Sequence, residues 1–359
     1  MTTLLRRYFL YALVLFTPLD LYAIDLYCRD LWVGQEGSLS RKRSLESIQT
    51  LKLATFNVGK LFGSKGVSDF KKIDRVSHEK ALAIADAIDG AAPELILLQE
   101  VESEEALEVF VENYLAGGYL ATTAESIDPI GGHIAVLMKR DLPFRLQIEE
   151  HLSESWTDID GTKEALFPRN NPIFLVREVA NPMLAKPLFA LMAVHFASQR
   201  GRKGDLASIR WRAEQVKRAS SIAKTFLKEY DHEVPLMIAG DFNIDLNKAL
   251  SDVNGELGPL RDLEMHNAFD LTEMPVDPAA RATQMTEYKG NILRTQLDGF
   301  LLAATQDDEV VQQVRVHPFL DKHGDPLPLP KSLLERDQGP SDHQLVSMNL
   351  RFQKYRSKK

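Results

Sequence analysis

Short apolar runs that stop abruptly on a polar residue recur along this chain. LKLATFNVG reaches Asn57, ELILLQE reaches Glu100, LFALMAVH reaches His195, and PLMIAGDFN reaches Asp241 and Asn243. Runs of that length without alternation predict strands buried on both faces, each delivering a reactive side chain where a core strand meets solvent. TQLDGFLL and PSDHQLV carry Asp298 and the pair Asp342 and His343 in the same kind of setting. Open α/β sheets collect their chemistry at the carboxyl ends of strands, where the backbone is rigid and the side chains face a crevice. An Asx turn accounts for any one of these positions alone. Their recurrence reads as a set of active-site groups.

The connecting segments fill in the elements. Val76 to Asp89 carries apolar residues at helical spacing and is stopped by Gly90 and Pro93. A strand, a helix and a parallel strand are therefore predicted, with Asn57 and Glu100 at the same end. Glu104 to Tyr114 predicts a second helix, capped by Ser103 and ended by Gly117 and Gly118. His133 to Met138 and Phe144 to Ile148 read as an antiparallel hairpin turning at Asp141, Leu142 and Pro143. Glu149 to Asn171 is polar and irregular, and a strand follows at Ile173 to Arg177. Asp205 to Tyr230 is the longest helical candidate, and Thr283 to Tyr288, Leu297 to Leu302, Val310 to Val316 and Gln344 to Phe352 are the remaining strands. Alternating strands and helices followed mostly by strands predict a mixed α/β protein, with two sheets packed face to face and helices outside. No linker divides Leu51 to Phe352, so residues 51–353 are read as one catalytic domain.

Composition mainly excludes. With 359 residues, 44% hydrophobic and 26% charged, the chain is ordinarily globular, and its net charge of -8 demands no polyanionic partner. The single cysteine, Cys28, rules out an internal disulfide and a CxxC metal site. Arg6 and Arg7 precede an apolar run from Tyr8 to Phe16, with Ala23 as a small residue for cleavage, so residues 1–23 read as an export signal. That run is too short for the roughly 20 residues that span a bilayer. An uncleaved interfacial anchor and a first helix of the fold are the competing readings. Residues 24–50 read as a linker or loose arm and 354–359 as a basic tail. A periplasmic or secreted location follows, with no membrane insertion of the mature domain and no stable protein partner.

Phe56-Asn57, LQEV at 98–101, GDFN at 240–243, LDGFLL at 297–302 and SDH at 341–343 together resemble, in order, the endonuclease/exonuclease/phosphatase superfamily that includes deoxyribonuclease I. PRNNPIF, AVHFAS and WRAEQ look most like exported bacterial nucleases. The resemblance implies a four-layer αββα sandwich, a divalent cation (magnesium, with manganese or calcium as alternatives) and hydrolysis of a phosphate ester. It implies Glu100 as the principal metal carboxylate, with Asn57 and Asp342 near the same ion. Asp241 matches the group that orients or deprotonates the attacking water, and Asn243 the amide beside it. His343 matches an imidazole on the scissile phosphate, paired with Asp298. His195 matches a second histidine, and Arg169 a phosphate-contacting arginine.

Elementary chemistry agrees with that set. Phosphodiester hydrolysis builds negative charge on phosphate oxygens, which a hard cation held by oxygen ligands offsets. A carboxylate beside His343 favours its charged ring, and His195 is expected to find a similar partner in Glu125. Lys60, Lys65, Lys71, Lys72 and Arg75 follow the Asn57 strand, while Arg200, Arg202, Lys203, Arg210, Arg212, Lys217 and Arg218 follow the His195 strand. Both runs begin beside reactive residues and suit a polyphosphate rim, against the plainer reading of a solvated face. Trp211 within the second run is expected to pack its helix on the sheet. The chain is therefore read as a metal-dependent phosphodiesterase of DNA or RNA. A sphingomyelinase-like phospholipid phosphodiesterase, an inositol or sugar phosphatase, and an inactive binding module of the same fold are the alternatives.

Overall fold

The computed structural model describes residues 27–30 and 43–352, apart from 62–77, 129–131, 153–154, 158–160, 162, 180–185, 200, 202–204, 206, 251, 253–254, 273–275, 289–290, 304–310, 322, 328–334 and 336–338. The expected export signal, the basic tail and the loop residues Lys65, Lys71, Lys72, Arg75, Arg200, Arg202 and Lys203 lie outside the described residues. No helix among those described is long and apolar enough to cross a membrane.

Two sheets form the centre. One runs, in spatial order, Val311–His317, Leu345–Arg351, Thr50–Leu61, Leu95–Val101, His133–Lys139 and Tyr119–Thr123. The other runs Tyr27–Asp30, Phe144–Glu150, Ile173–Glu178, Phe189–His195, Leu236–Asp241, Asp298–Ala303 and Met265–Asn267. Their facing sides share one core, to which Leu53, Leu97 and Met348 come from the first sheet and Phe174, Leu191, Met237 and Phe300 from the second. Burying a side chain of this kind contributes about 1.5–3 kcal/mol. Helices His78–Ala91 and Glu104–Tyr114 close the outer side of the first sheet through Ile84, Ile88, Leu107 and Phe110. Helix Ile209–Glu229 closes the second through Val216, Ala223 and Phe226. The result is the expected αββα sandwich.

The unalternating apolar runs have a simple cause. Along Leu236–Asp241, Met237 and Ala239 enter the core between the sheets while Leu236 and Ile238 face the helix side, so both faces need apolar residues. Gly240 is required for a different reason. Its φ is +142°, and a Cβ there would lie 2.0 Å from the Val194 carbonyl oxygen on the neighbouring strand. Thr50–Leu61 and Leu95–Val101 pair in parallel, as the strand, helix and strand pattern predicts. Ser103 caps the second helix by accepting from the Ala106 amide at 3.1 Å. The long helix starts at Ile209, and Asp205 acts as its anchor by accepting from the Arg210 and Trp211 amides at 3.1 and 3.2 Å. Trp211 packs on the helix-side core and donates to the Leu166 carbonyl at 3.2 Å, the packing role expected of it.

Three local expectations are corrected. His133–Lys139 and Phe144–Glu150 are not a hairpin: the first pairs with Leu95–Val101 and Tyr119–Thr123, the second with Ile173–Glu178, in different sheets. Leu142 of the intervening turn is buried in the shared core, so the connection crosses between layers. The segment 24–50 is not wholly loose, since Tyr27–Asp30 pair with Phe144–Glu150 and Leu45 and Ile48 enter the core. The irregular stretch after Glu149 holds a small ladder of Ser155–Thr157 with Lys163–Ala165.

Glu149 is buried, and its burial first and the nearby Glu229 second push its carboxyl up to about 7. A raised value means that the folded state holds the proton more tightly than the unfolded chain. That stabilisation is complete below the unfolded value near 4.5 and is lost as pH rises through about 7. At about 1.4 kcal/mol per unit, the loss is on the order of 3 kcal/mol. Glu149→Gln is expected to be more stable than wild type at pH 8 and to show a flatter stability profile between pH 5 and pH 8 in urea titrations. Superimposable profiles for the two proteins would contradict this.

Candidate active site

The reactive residues meet because two kinds of strand end meet. In the seven-stranded sheet, register sets His195 beside Asp241 and Asp241 beside Asp298 on three adjacent strands. From the facing sheet come Asn57 and Glu100, each at a break in its ladder. The pairing of Thr50–Leu61 with Leu95–Val101 shifts after Asn57, and that of Leu95–Val101 with His133–Lys139 shifts after Leu98. Glu100 holds φ +64° there and Asn243 holds +52°, backbone conformations that cost about 1–3 kcal/mol and gather at functional sites. Ser341 fastens the last loop to this edge, donating to the Asn57 carbonyl at 2.8 Å and accepting from the His343 amide at 3.1 Å.

Asp241 lies at the centre and is 1% exposed. Its Oδ2 accepts from Asn57 Nδ2 at 3.0 Å and Asn243 Nδ2 at 3.1 Å, and its Oδ1 accepts from the Asn243 amide at 2.8 Å. Burial is the largest influence on its carboxyl and pushes it up to about 7, against the downward pull of His343. His343 Nδ1 meets Asp298 Oδ2 at 2.8 Å, while its Nε2 lies 3.9 Å from Asp241 Oδ2 and 4.0 Å from Asp342 Oδ1. Burial opposes charge on this ring, but Asp298 and Asp241 together hold it well above the ordinary imidazole value.

His195 is held in the opposite state. Its Nε2 lies 3.6 Å from Asp241 Oδ2 and 3.8 Å from Glu100 Oε1. Arg169 Nη1 sits 2.5 Å from Nε2 and 3.1 Å from Nδ1. Burial first, then Arg169 and His343, depress the ring well below its usual value, so it is a neutral imidazole. The expected Glu125 partnership does not form: the Glu125 amide donates to Glu150 Oε1 at 3.1 Å, its carbonyl accepts from Asn170, and the place beside His195 belongs to Arg169.

Several residues at the site carry no motif. Gln284 Nε2 donates to Asp342 Oδ2 at 3.1 Å and lies 3.4 Å from His343 Nε2. Thr283 Oγ1 accepts from the Leu297 and Asp298 amides, both at 3.0 Å. Asp128 Oδ2 accepts from Arg169 Nε at 2.8 Å. Asp128 sits in a polar stretch without periodicity, and although Thr283 and Gln284 stand at the start of a strand the pattern predicts, only their neighbours in space mark them as site residues. Arg212 is removed from the expected basic rim, because it is buried and bound to Glu256 at 2.8 and 3.0 Å. Lys60, Arg210 and Lys217 are exposed, and Arg218 is half-buried.

Asp241, Asp298 and His343 present ligand atoms within 4.8 Å of one another, a donor group able to hold a metal ion. A metal on the ring would have to displace its proton, since only a neutral imidazole ligates. Asp298 Oδ1 is buried with no hydrogen-bond partner, and Glu100 makes no hydrogen bond among the described residues, so the edge is rich in carboxylate oxygens that suit a hard cation.

No protein-family sequence model and no curated protein matches this chain. Solved structures do match in shape. Truncated Caenorhabditis elegans TDP2 superimposes with a TM-score of 0.51 at 12% identity, over 84% of this chain and 97% of that one. An endonuclease/exonuclease/phosphatase family protein from Bacteroides thetaiotaomicron gives 0.52 at 14% identity, over 84% and 97%. D. rerio TDP2 complexed with single strand DNA product gives 0.51 at 14% identity, over 84% and 98%. What is shared at such identities is the fold, and this chain has the deoxyribonuclease I-like fold of the endonuclease/exonuclease/phosphatase superfamily.

Thr283→Val removes the one oxygen that accepts both the Leu297 and Asp298 amides. Leaving buried N–H groups unmet costs about 1–3 kcal/mol each, so for these two a loss of about 2–6 kcal/mol in urea denaturation is expected, with Thr283→Ser close to wild type. A valine variant within about 0.5 kcal/mol of wild type, the range of a neutral substitution, would show that the hydroxyl does not hold this strand end.

Proposed function

We propose that this chain, with its deoxyribonuclease I-like fold, is a divalent-metal-dependent phosphodiesterase that hydrolyses nucleic acid by in-line attack of water. The observation that carries the reading is Asp241: a buried carboxylate pushed up to about 7, set between a neutral His195 at 3.6 Å and a charged His343 at 3.9 Å. A general base works best when its pKa lies near the operating pH, and desolvation supplies that here. Asp241 takes the proton of the attacking water while the Asn57 and Asn243 amides keep its oxygens aimed. His343, kept cationic by Asp298, faces the phosphate oxygens and stabilises the charge that develops on them. Arg169 adds a second cationic contact, and the neutral ring of His195 lets that guanidinium sit close.

Glu100, Asp342 and Asn57 offer the oxygens for the cation, and the unbonded Glu100 carboxylate fits that role. A bound divalent ion supplies counter-charge to the phosphate. Nucleic acid is favoured as substrate by the exposed Lys60, Arg210 and Lys217 and by the single strand DNA product bound to the D. rerio protein of like fold.

Two experiments test this. Purified protein is expected to cut plasmid DNA, single-stranded DNA or RNA with magnesium and to lose that activity in chelator, while leaving sphingomyelin intact. Cleavage of none of the nucleic acids sinks the proposal, and cleavage of sphingomyelin alone replaces it. Asp241→Ala and His343→Ala are expected to lower kcat by at least about 100-fold with the far-ultraviolet circular dichroism unchanged. Full activity in either folded variant would misplace the chemistry.

A further inference from the structure

We infer that Asp128 is a positioning residue for phosphate recognition: it aims the Arg169 guanidinium at the reacting centre beside His195. The inference rests on the phosphodiesterase reading and adds to it the group that orients its cationic contact.

Arg169 stands in a turn whose backbone is fixed from within. The Asn170 amide donates to the Phe167 carbonyl at 3.1 Å, and Asn170 adopts φ +68°. Asn170 Oδ1 accepts from the His151 and Asn171 amides at 2.9 and 2.7 Å, and its Nδ2 donates to the Glu125 carbonyl and to Glu150. None of these bonds holds the arginine side chain, which is long and rich in rotamers. Asp128 does, through Nε at 2.8 Å. The acid is itself tied to the same turn. Its amide donates to Ser126 Oγ at 3.1 Å, Ser126 Oγ donates to the Pro168 carbonyl at 3.2 Å, and the Ile127 amide donates to that carbonyl at 2.8 Å. The segment carrying the acid is thus joined to the residue just before the arginine.

Counting donors shows what the arrangement is for. A guanidinium carries its N–H groups in a rigid planar fork. Nε is held by Asp128 and Nη1 by His195, while Nη2 makes no hydrogen bond among the described residues. Fixing a planar group at two of its nitrogens fixes the direction of the third, and fork geometry is what makes arginine selective for phosphate oxygens. The Asp128 side chain is 7% exposed and that of Arg169 25%, so the acid is closed off while the arginine stays open. Gly132 leaves room for the pair: a Cβ there would lie 3.3 Å from Asp128 Oδ2 and 3.5 Å from Arg169 Nε. Without Asp128 the guanidinium would keep only its Nη1 contact with the His195 ring and no carboxylate on Nε, and water would draw it away.

The test is a double-mutant cycle on the magnesium-loaded protein, with a single-stranded oligonucleotide and bis(p-nitrophenyl) phosphate as substrates. Asp128→Asn is expected to raise KM and lower kcat/KM by about 10- to 100-fold, with kcat falling less. Asp128→Glu, which keeps the charge but moves it by one methylene, should fall between. In an Arg169→Ala background, Asp128→Asn should add nothing, because its effect runs through the arginine. Equal losses in both backgrounds, or unchanged kinetics in Asp128→Asn, would overturn the inference. If Asp128→Asn does not fold, the comparison is made with Asp128→Glu, and the same two outcomes overturn it. A wild type that cuts neither substrate sinks the functional reading instead. The positioning claim is then read from the Arg169 Nε–H resonance, expected to be protected in wild type and lost in Asp128→Asn, and an unchanged signal would refute it.

Discussion

One carboxylate buried at the seam between two sheets sets the terms for everything around it. An unpaired ionised group with 1% exposure, as Asp241 has, would cost several kcal/mol. Donors from Asn57 and Asn243 offset part of that cost, and because Asn57 belongs to the facing sheet, the bond that satisfies the acid also ties the two sheets at their shared edge. What remains of the desolvation is expressed as a carboxyl near neutrality. The same burial that makes Asp241 awkward to accommodate is what would suit it to the base role proposed for it.

The two histidines beside it illustrate how neighbours, not residue type, decide charge. Each lies within 4 Å of the same Asp241 oxygen, yet one is cationic and the other neutral. His343 has Asp298 behind it at 2.8 Å, whereas His195 has Arg169. A carboxylate behind a ring stabilises its proton, and a guanidinium expels it. An asymmetric site follows, with one side able to stabilise anionic oxygens directly and the other doing so through an arginine.

Backbone irregularity supplies the aim. Asn57 and Glu100 both sit where a ladder breaks, and Glu100 keeps a positive φ that regular strand geometry would not allow. Gly240 lets the Asp241 strand approach the Val194 carbonyl so closely that no other residue fits. The regular core on either side, from Phe174 and Met237 to Leu97 and Met348, is what over-determines these positions and holds them.

The amino-acid sequence by itself determined the central strands, because runs buried on both faces must be apolar throughout and must end where a polar group reaches solvent; the edge strands Tyr27–Asp30, Tyr119–Thr123 and Met265–Asn267 carry no such run. It also determined which residue types stand at those ends, hence the candidate groups from Asn57 to His343, while the order of strands and helices implied two packed sheets with helices outside and the family resemblance implied the four-layer αββα form. Apart from the parallel pairing of Thr50–Leu61 with Leu95–Val101, which the strand, helix and strand order predicts, tertiary structure decided the pairing partners. The turn at Leu142 reads locally as a hairpin, yet that leucine is buried between the sheets and sends the chain across the layers. It also decided which partner each site residue takes. Asp128 and Arg169 are 41 positions apart and Gln284 and Asp342 are 58, and no local pattern marks a contact between single polar side chains over such distances. Hydrophobic periodicity is a property of neighbouring residues and can be read in order; polar complementarity belongs to the folded surface and appears only once the layers have met.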